Sequence, residues 1–219
     1  MYAASFEEAY ISNSVFESSN LIDADLYHVQ IIGSDFTRAN AHEAFMQYSS
    51  IIDSVFESVN FEHVYMDYGL IVETGFARSK LNSITLTNSK LVNVKFNQAE
   101  LRHADFSGAQ LNQVDFTGSD LTGADFRGAV LHDVTFDDAI LTNVKLNDAT
   151  IWFSTFNRFR AKEGLTFAGS ELRGNIFSGY RDGKSIDFTR SRLNGNQFRP
   201  DVLCVAKNID FKFDRSLCR

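Results

Sequence analysis

The chain has 219 residues, a net charge of −7 and 13% aromatic residues, with 21 Phe but only one Pro and two Cys. That length suits one domain, no run approaches the ~18 apolar residues of a membrane span, and two cysteines make no disulfide framework. The start is neither basic nor apolar, so no leader is expected; reduced cysteines and a cytoplasmic location are the expectation, with export as an effector the alternative.

In chain order, the first feature is a repeat of five that runs over residues 4–156 without a slip. Every fifth residue from Phe6 (Ile11, Phe16, Leu21, onward to Ile151 and Phe156) is apolar, and two places before each stands a small residue such as Ala4, Ala9 or Ser14, with Ile84 as the bulky exception. A second period lies inside the first. Phe16, Phe36, Phe56, Phe76, Phe96, Phe116, Phe136 and Phe156 are spaced by twenty, and so are Ile11, Ile31, Ile51 and Ile71. A period of five drifts around a 3.6-residue helix and leaves no apolar stripe, and a flat strand alternates every two residues. The pattern therefore predicts an all-β solenoid whose coil has about twenty residues in four short sides, like stacked on like. The near-absence of proline fits, because each coil must donate N–H groups to the next. No helix or polar cap precedes Ala4, so the sequence expects a partner or further chain over this end.

The early coils are acidic: residues 7–73 hold 12 Asp and Glu against Arg38 alone. Adding twenty reads the outward columns. Ile32, Ile52, Val72 and Val92 form one, His28, Tyr48 and Tyr68 another, with Phe45 and Tyr65 before the corner and Leu70 beside it. Phe45, Tyr48, Ile52, Tyr65, Tyr68, Leu70 and Val72 are thus the candidate partner surface, since contiguous apolar surface and exposed aromatics mark interfaces. Over 74–156 the repeat is at its most regular, and Gly108, Gly118, Gly123 and Gly128 fall at corners, where glycine permits positive φ. Earlier coils lack these glycines, so their corners are expected to be looser.

Ala104-Asp105-Phe106-Ser107-Gly108 and Ala124-Asp125-Phe126-Arg127-Gly128 closely match Ala–Asp/Asn–Leu/Phe–x–x, and the chain resembles the pentapeptide-repeat family on that unit. The resemblance covers 4–156 in frame and, with interruptions, runs to about 198. It implies a right-handed quadrilateral parallel β-helix. It also implies a second functional reading, because some members resemble duplex DNA and bind type II topoisomerases such as DNA gyrase, conferring quinolone resistance. Residues 7–73 would span ~16 Å at ~4.8 Å per coil, over which B-DNA carries about ten charges; their net charge here is −11.

After Phe156 the large apolar residues recur at Phe177 and Phe198, in steps of 21. Residues 157–219 therefore read as a continuation of the same single domain with one extra residue per coil, carried in segments 157–166 and 178–187. A longer segment, 199–210, contains Pro200, and an irregular C-terminal end follows. These segments carry Arg158, Arg160, Lys162, Arg181, Lys184, Arg199 and Lys207, a candidate basic ridge for an acidic partner. Residues 157–219 hold 13 basic and 7 acidic residues, against 8 and 21 in 1–156. Ile209-Asp210-Phe211 echoes Ile186-Asp187-Phe188, where another coil is expected to begin.

No constellation for catalysis, metal or cofactor emerges. The five histidines fall one or two places after a central residue and point outward, with no converging set. Gly179-Tyr180-Arg181-Asp182-Gly183-Lys184-Ser185 has three residues between its glycines where a phosphate loop needs four, and no helix pattern follows. Direct nucleic-acid binding by the basic segments would be opposed by the acidic coils. The sequence points to a non-catalytic scaffold that presents a surface to a protein partner or to a second copy.

Overall fold

The computed structural model describes residues 4–181 and 185–209. Its elements, in order, are β1 (Tyr10–Ser12), β2 (Gln30–Ile32), β3 (Ser50–Ile52), β4 (Leu70–Val72), β5 (Lys90–Val92), β6 (Gln110–Asn112), β7 (Val130–His132) and β8 (Thr150–Trp152). There follow β9 (Thr155–Asn157), β10 (Glu171–Arg173), β11 (Ile176–Ser178), β12 (Ile186–Asp187), β13 (Arg192–Asn194), β14 (Gln197–Phe198), α1 (Pro200–Leu203) and β15 (Ala206–Lys207). All strand pairs are parallel, and β1 to β8 continue through β10 and β13 as one ten-stranded sheet. The fold is a parallel β-solenoid of about ten turns.

Each side of the coil follows from the five-residue unit. The central and small residues point inward and are buried, and the three others line the outside. Hydrogen bonds run up and down: on side three, the Phe36 N–H donates to Val55 O at 2.8 Å while the Asp35 N–H donates to Ser14 O at 2.9 Å. The register is twenty: Ile31 pairs with Ile51, and Ile51 with Ile71. Phenylalanine rings stack through the middle, with centroids 4.7 Å apart for Phe36–Phe56 and 5.1 Å for Phe56–Phe76. The predicted ring-over-ring core is therefore present. We name the sides by their central residues: side one runs through Leu26 and Met46, side two through Ile31 and Ile51, side three through Phe36 and Phe56, and side four through Ala41 and Phe61.

The corners correct one expectation. The early ones are as tight as the glycine ones: Glu43, Tyr48, Asp53 and Ser58 adopt φ of 59°, 59°, 49° and 55°, beside 75° at Gly123. Left-handed backbone is unfavourable for residues with a Cβ, so the ladder above and below imposes it. Glycine is required at a corner for a further reason. A Cβ on Gly174 would lie 2.8 Å from Cδ1 of Phe153, and one on Gly123 would lie 2.5 Å from Nδ1 of His103. There the side chain of the preceding coil folds down over the corner.

One column of small residues is polar and buried towards both ends, with Val94, Val114 and Val134 between. The Ser34 Oγ accepts the Ser14 N–H at 3.1 Å and donates to Ile32 O at 3.0 Å. Further on the same column Asn175, fully buried, accepts the Ser154 N–H at 2.8 Å and donates to Ile151 O at 2.8 Å. This corner makes no local turn bond, so the side chains supply one.

Beyond Phe156 the register becomes 21, as in Phe156 against Phe177, and returns to 20 where Ile186 pairs with Ala206. Ile140 still pairs with Arg160 while Lys145 pairs with Thr166, which places the first extra residue between Arg160 and Thr166. The five-residue frame also inverts here, because Phe159 fills the small position and Ala161 the large one, both buried. Segment 199–210 is not a loop. α1 buries Val202 and Leu203, and Ala206 pairs with Ile186, so the coil resumes before Ile209, the residue read as its echo. Pro200 stands in the first turn of that helix, where its missing N–H costs nothing. Cys204 is disulfide-bonded, which overturns the expectation of reduced thiols and removes that footing from the cytoplasmic reading. Cys218 lies outside the described residues.

Candidate functional site

The candidate partner surface wraps the corner between sides one and two. Coil stacking at one residue per column turns single aromatics into ladders. Phe45 and Tyr65 stack on side one at 5.6 Å, and on the corner His28, Tyr48 and Tyr68 stack in turn at 5.1 Å each. Tyr68 is 54% exposed and Leu70 37%. Ile52 and Val72 are half-buried by their column neighbours and add less free surface than the sequence implies. Tyr27, not among the candidates, joins the corner edge-on to Tyr48 at 5.6 Å. Its signal was its place one residue after central Leu26. Three carboxylates, Glu7, Asp23 and Asp25, share a shallow depression of about 390 Å³ with Tyr27 and Phe45.

Of the candidate basic residues, Arg160, Arg181 and Lys207 take part in ladder pairs, while Lys162 lies in the bend that holds the extra residue. Arg158 sits on a corner at φ 52° with its guanidinium on Asp138, Nε donating to Oδ1 at 2.9 Å. That hydrogen bond, foremost, holds the Asp138 carboxyl below the ordinary carboxylate range. Arg199 precedes α1, and Lys207 lies in β15. Lys184 lies outside the described residues. Arg160 and Arg181 are directly paired on consecutive coils of side four, with Lys162 beside them. Among the described residues, none of these three side chains has an ion pair or hydrogen-bond partner. They line a groove of about 710 Å³ that continues along side four past Ile140 and Thr142 to Asp120 and Arg102. Arg102 Nε donates to Asp120 Oδ2 at 2.7 Å. Burial alone would raise the Asp120 carboxyl, but the Thr122 hydroxyl and N–H, then Arg102, outweigh it and lower it.

Among the described residues no group of three or more His, Cys, Asp or Glu side chains could hold a metal ion, and no helix is long and apolar enough to cross a membrane. His42 and His63 meet edge-on at 5.6 Å on the outside of side four, and the His42 Nε2 lies 3.3 Å from the Glu43 Oε1. In the phosphate-loop lookalike, Arg181 continues the ladder through its N–H to Phe159 O, and residues 182–184 lie outside the described residues.

Comparison with known proteins matches residues 55–131 and 89–167 to the family described as pentapeptide repeat region, and residues 1–38 to pentapeptide repeats (8 copies). A search of curated proteins finds no match. Among solved structures, the chain is similar to HetL, a pentapeptide repeat protein involved in heterocyst differentiation regulation from the cyanobacterium Nostoc sp. strain PCC 7120. The TM-score is 0.60 at 19% identity, over 96% of this chain and 92% of that one. It is also similar to full-length QnrB1, a plasmid-mediated fluoroquinolone resistance protein, with a TM-score of 0.54 at 14% identity over 90% and 93% of the two chains.

Proposed function

The chain belongs to the pentapeptide-repeat family, and from that premise we propose that it is a non-catalytic scaffold whose aromatic corner docks a protein. The observation that carries this reading is the exposed ladder of Tyr48, Tyr68, Phe45 and Tyr65, flanked by Leu70. Aromatic side chains supply large contact area at low conformational cost, and they are enriched at interface centres. Other exposed apolar residues, such as Tyr10, Val15, Val130 and Phe153, lie apart from one another, whereas here two neighbouring aromatic columns are continuous from coil to coil. A protein partner, rather than a small molecule, fits a convex corner with carboxylates beside it.

The test is the double variant Tyr68→Glu, Leu70→Glu. Cross-linking mass spectrometry on the native protein should place inter-protein links around 45–72, and the variant should lose them while melting at the native temperature. Links that persist in the variant, or that all fall elsewhere, sink this reading.

A second reading is a DNA mimic acting on a type II topoisomerase. The likeness in shape to QnrB1 and the net −11 of residues 7–73 favour it. Its measure is gyrase supercoiling with and without a quinolone: protection supports it, and no effect in either arm removes it.

A further inference from the structure

Side four carries a charge sequence that inverts along the axis. Its ladder runs Asn20, Asn40, Asn60, Lys80, Glu100, Asp120, Ile140, Arg160, Arg181, each residue paired with the next. Taking each coil with its neighbouring outward and corner positions, the first three contribute Asp23, Glu43 and Glu62 and no Lys or Arg. The fourth has Lys80, the fifth both Glu100 and Arg102, and the sixth Asp120. The seventh is neutral, and the last two bring Arg160, Lys162 and Arg181, with Glu163 the one carboxylate among the described residues there.

From this we propose that side four is a homodimer interface in which two copies lie antiparallel about a two-fold axis at the coil of Glu100 and Arg102. Reversal about that coil sets Lys80 against Asp120 of the second copy, and Glu43 against Arg160 and Lys162. It also sets Asp23 against Arg181, while Glu100 and Arg102 face their own counterparts at the axis. An isologous contact repeats every pair twice. The coil spacing is common to both copies, so charges one coil apart on one meet charges one coil apart on the other over ~40 Å.

Two further observations favour an opposite charge over solvent. Arg160 and Arg181 are like charges directly opposed on adjacent coils, an arrangement that is unfavourable when left alone, and the nearby Asp138 carboxylate is already bonded to Arg158. The side chains of Arg160, Arg181 and Lys162 have no partner among the described residues, although they line one groove. Nucleic acid is the poorer occupant, because 21 acidic residues over 1–156 repel phosphates along the rest of the molecule. Apart from Asp23, which also borders the depression beside Phe45, this proposal uses a different face from the aromatic corner and stands or falls separately from it.

The experiment is a charge swap read by analytical ultracentrifugation at ~20 mM salt, where the screening length exceeds the contact distance. The native chain should sediment as a dimer and become a monomer near 0.5 M salt. Variant one, Arg160→Glu with Lys162→Glu and Arg181→Glu, should be monomeric, its dissociation constant raised at least about tenfold. Variant two, Asp23→Lys with Glu43→Lys and Glu62→Lys, should be monomeric too. Their equimolar mixture should recover the dimer, because the reversed charges match in both halves of the contact, and that recovery also shows that both variants fold. Glu100→Cys, next to the axis, should give a disulfide-linked dimer on oxidation. A native chain monomeric at low salt, or a mixture that stays monomeric, overturns the proposal. The Tyr68→Glu, Leu70→Glu variant should still dimerise, which keeps the two faces distinguishable.

Discussion

At the scale of single residues the molecule is governed by what a side chain finds one coil away. Asn175 shows this best. It is fully buried, its Oδ1 takes the Ser154 N–H, and its Nδ2 donates to Ile151 O and to Asn196 Oδ1. Asn175→Ala strands the Ser154 N–H, at about 1–3 kcal/mol for a group left unpaired, while the Ile151 carbonyl keeps its ladder bond from the Arg173 N–H. The expected loss in urea unfolding is about 2 kcal/mol. Asn175→Ser should recover part of it, because Ser154 performs the same two-way bonding one coil earlier, accepting the Val134 N–H and donating to Trp152 O. Equal losses for both variants would show that volume rather than hydrogen bonding sets the cost. The same logic explains the corner glycines. Tyr48 and Arg78 hold φ of 59° and 58° without being glycine, so the ladder enforces that backbone on any residue. Glycine is needed only beneath an overhanging neighbour such as Phe153.

At the scale of elements, the sequence made the stack legible because period five within period twenty has one closed solution. The Phe16-to-Phe156 column, the pairing of Ile31 with Ile51 and the shift to 21 at Phe177 all follow from counting. The elements that escaped are those where a side chain abandons its role in the unit. Phe159 and Ala161 exchange large and small, which a search for every fifth large residue steps over. α1 has four residues, too few to show a helical period, and it hid inside a segment that proline and polar residues marked as a loop. The aromatic corner was legible as columns, but burial was not: Ile52 and Val72 lose exposure to the residues stacked on them, which spacing alone does not measure. The basic residues were found by composition, and Lys162 does lie in the bend that carries the extra residue. Arg160 and Arg181 occupy bridge positions of consecutive coils, where their alignment, rather than their number, is the informative fact.

At the scale of the whole molecule, stability is close to a sum of like layers, since each coil touches only the coils beside it. Phenylalanine pairs at 4.6 to 5.3 Å recur from Phe16 to Phe198, and offset ring pairs of this kind add about 0.5–1.5 kcal/mol apiece beyond burial. Ion pairs on the outside, such as Arg78 with Glu57 at 2.6 Å, are exposed and contribute little. The uniform register has one more consequence, for how the chain can be edited. Excising residues 84–103 removes one complete layer and joins Ser83 to Ala104, so every column closes over the gap: Phe76 meets Phe116, and Ile71 meets Leu111. Such a shortened protein should fold and melt in one cooperative step. Excising 84–98 instead leaves three quarters of a turn missing and rotates the remainder by one side, which should abolish the sharp melt in circular dichroism. Length is thus the one dimension of this molecule that can be changed in quanta.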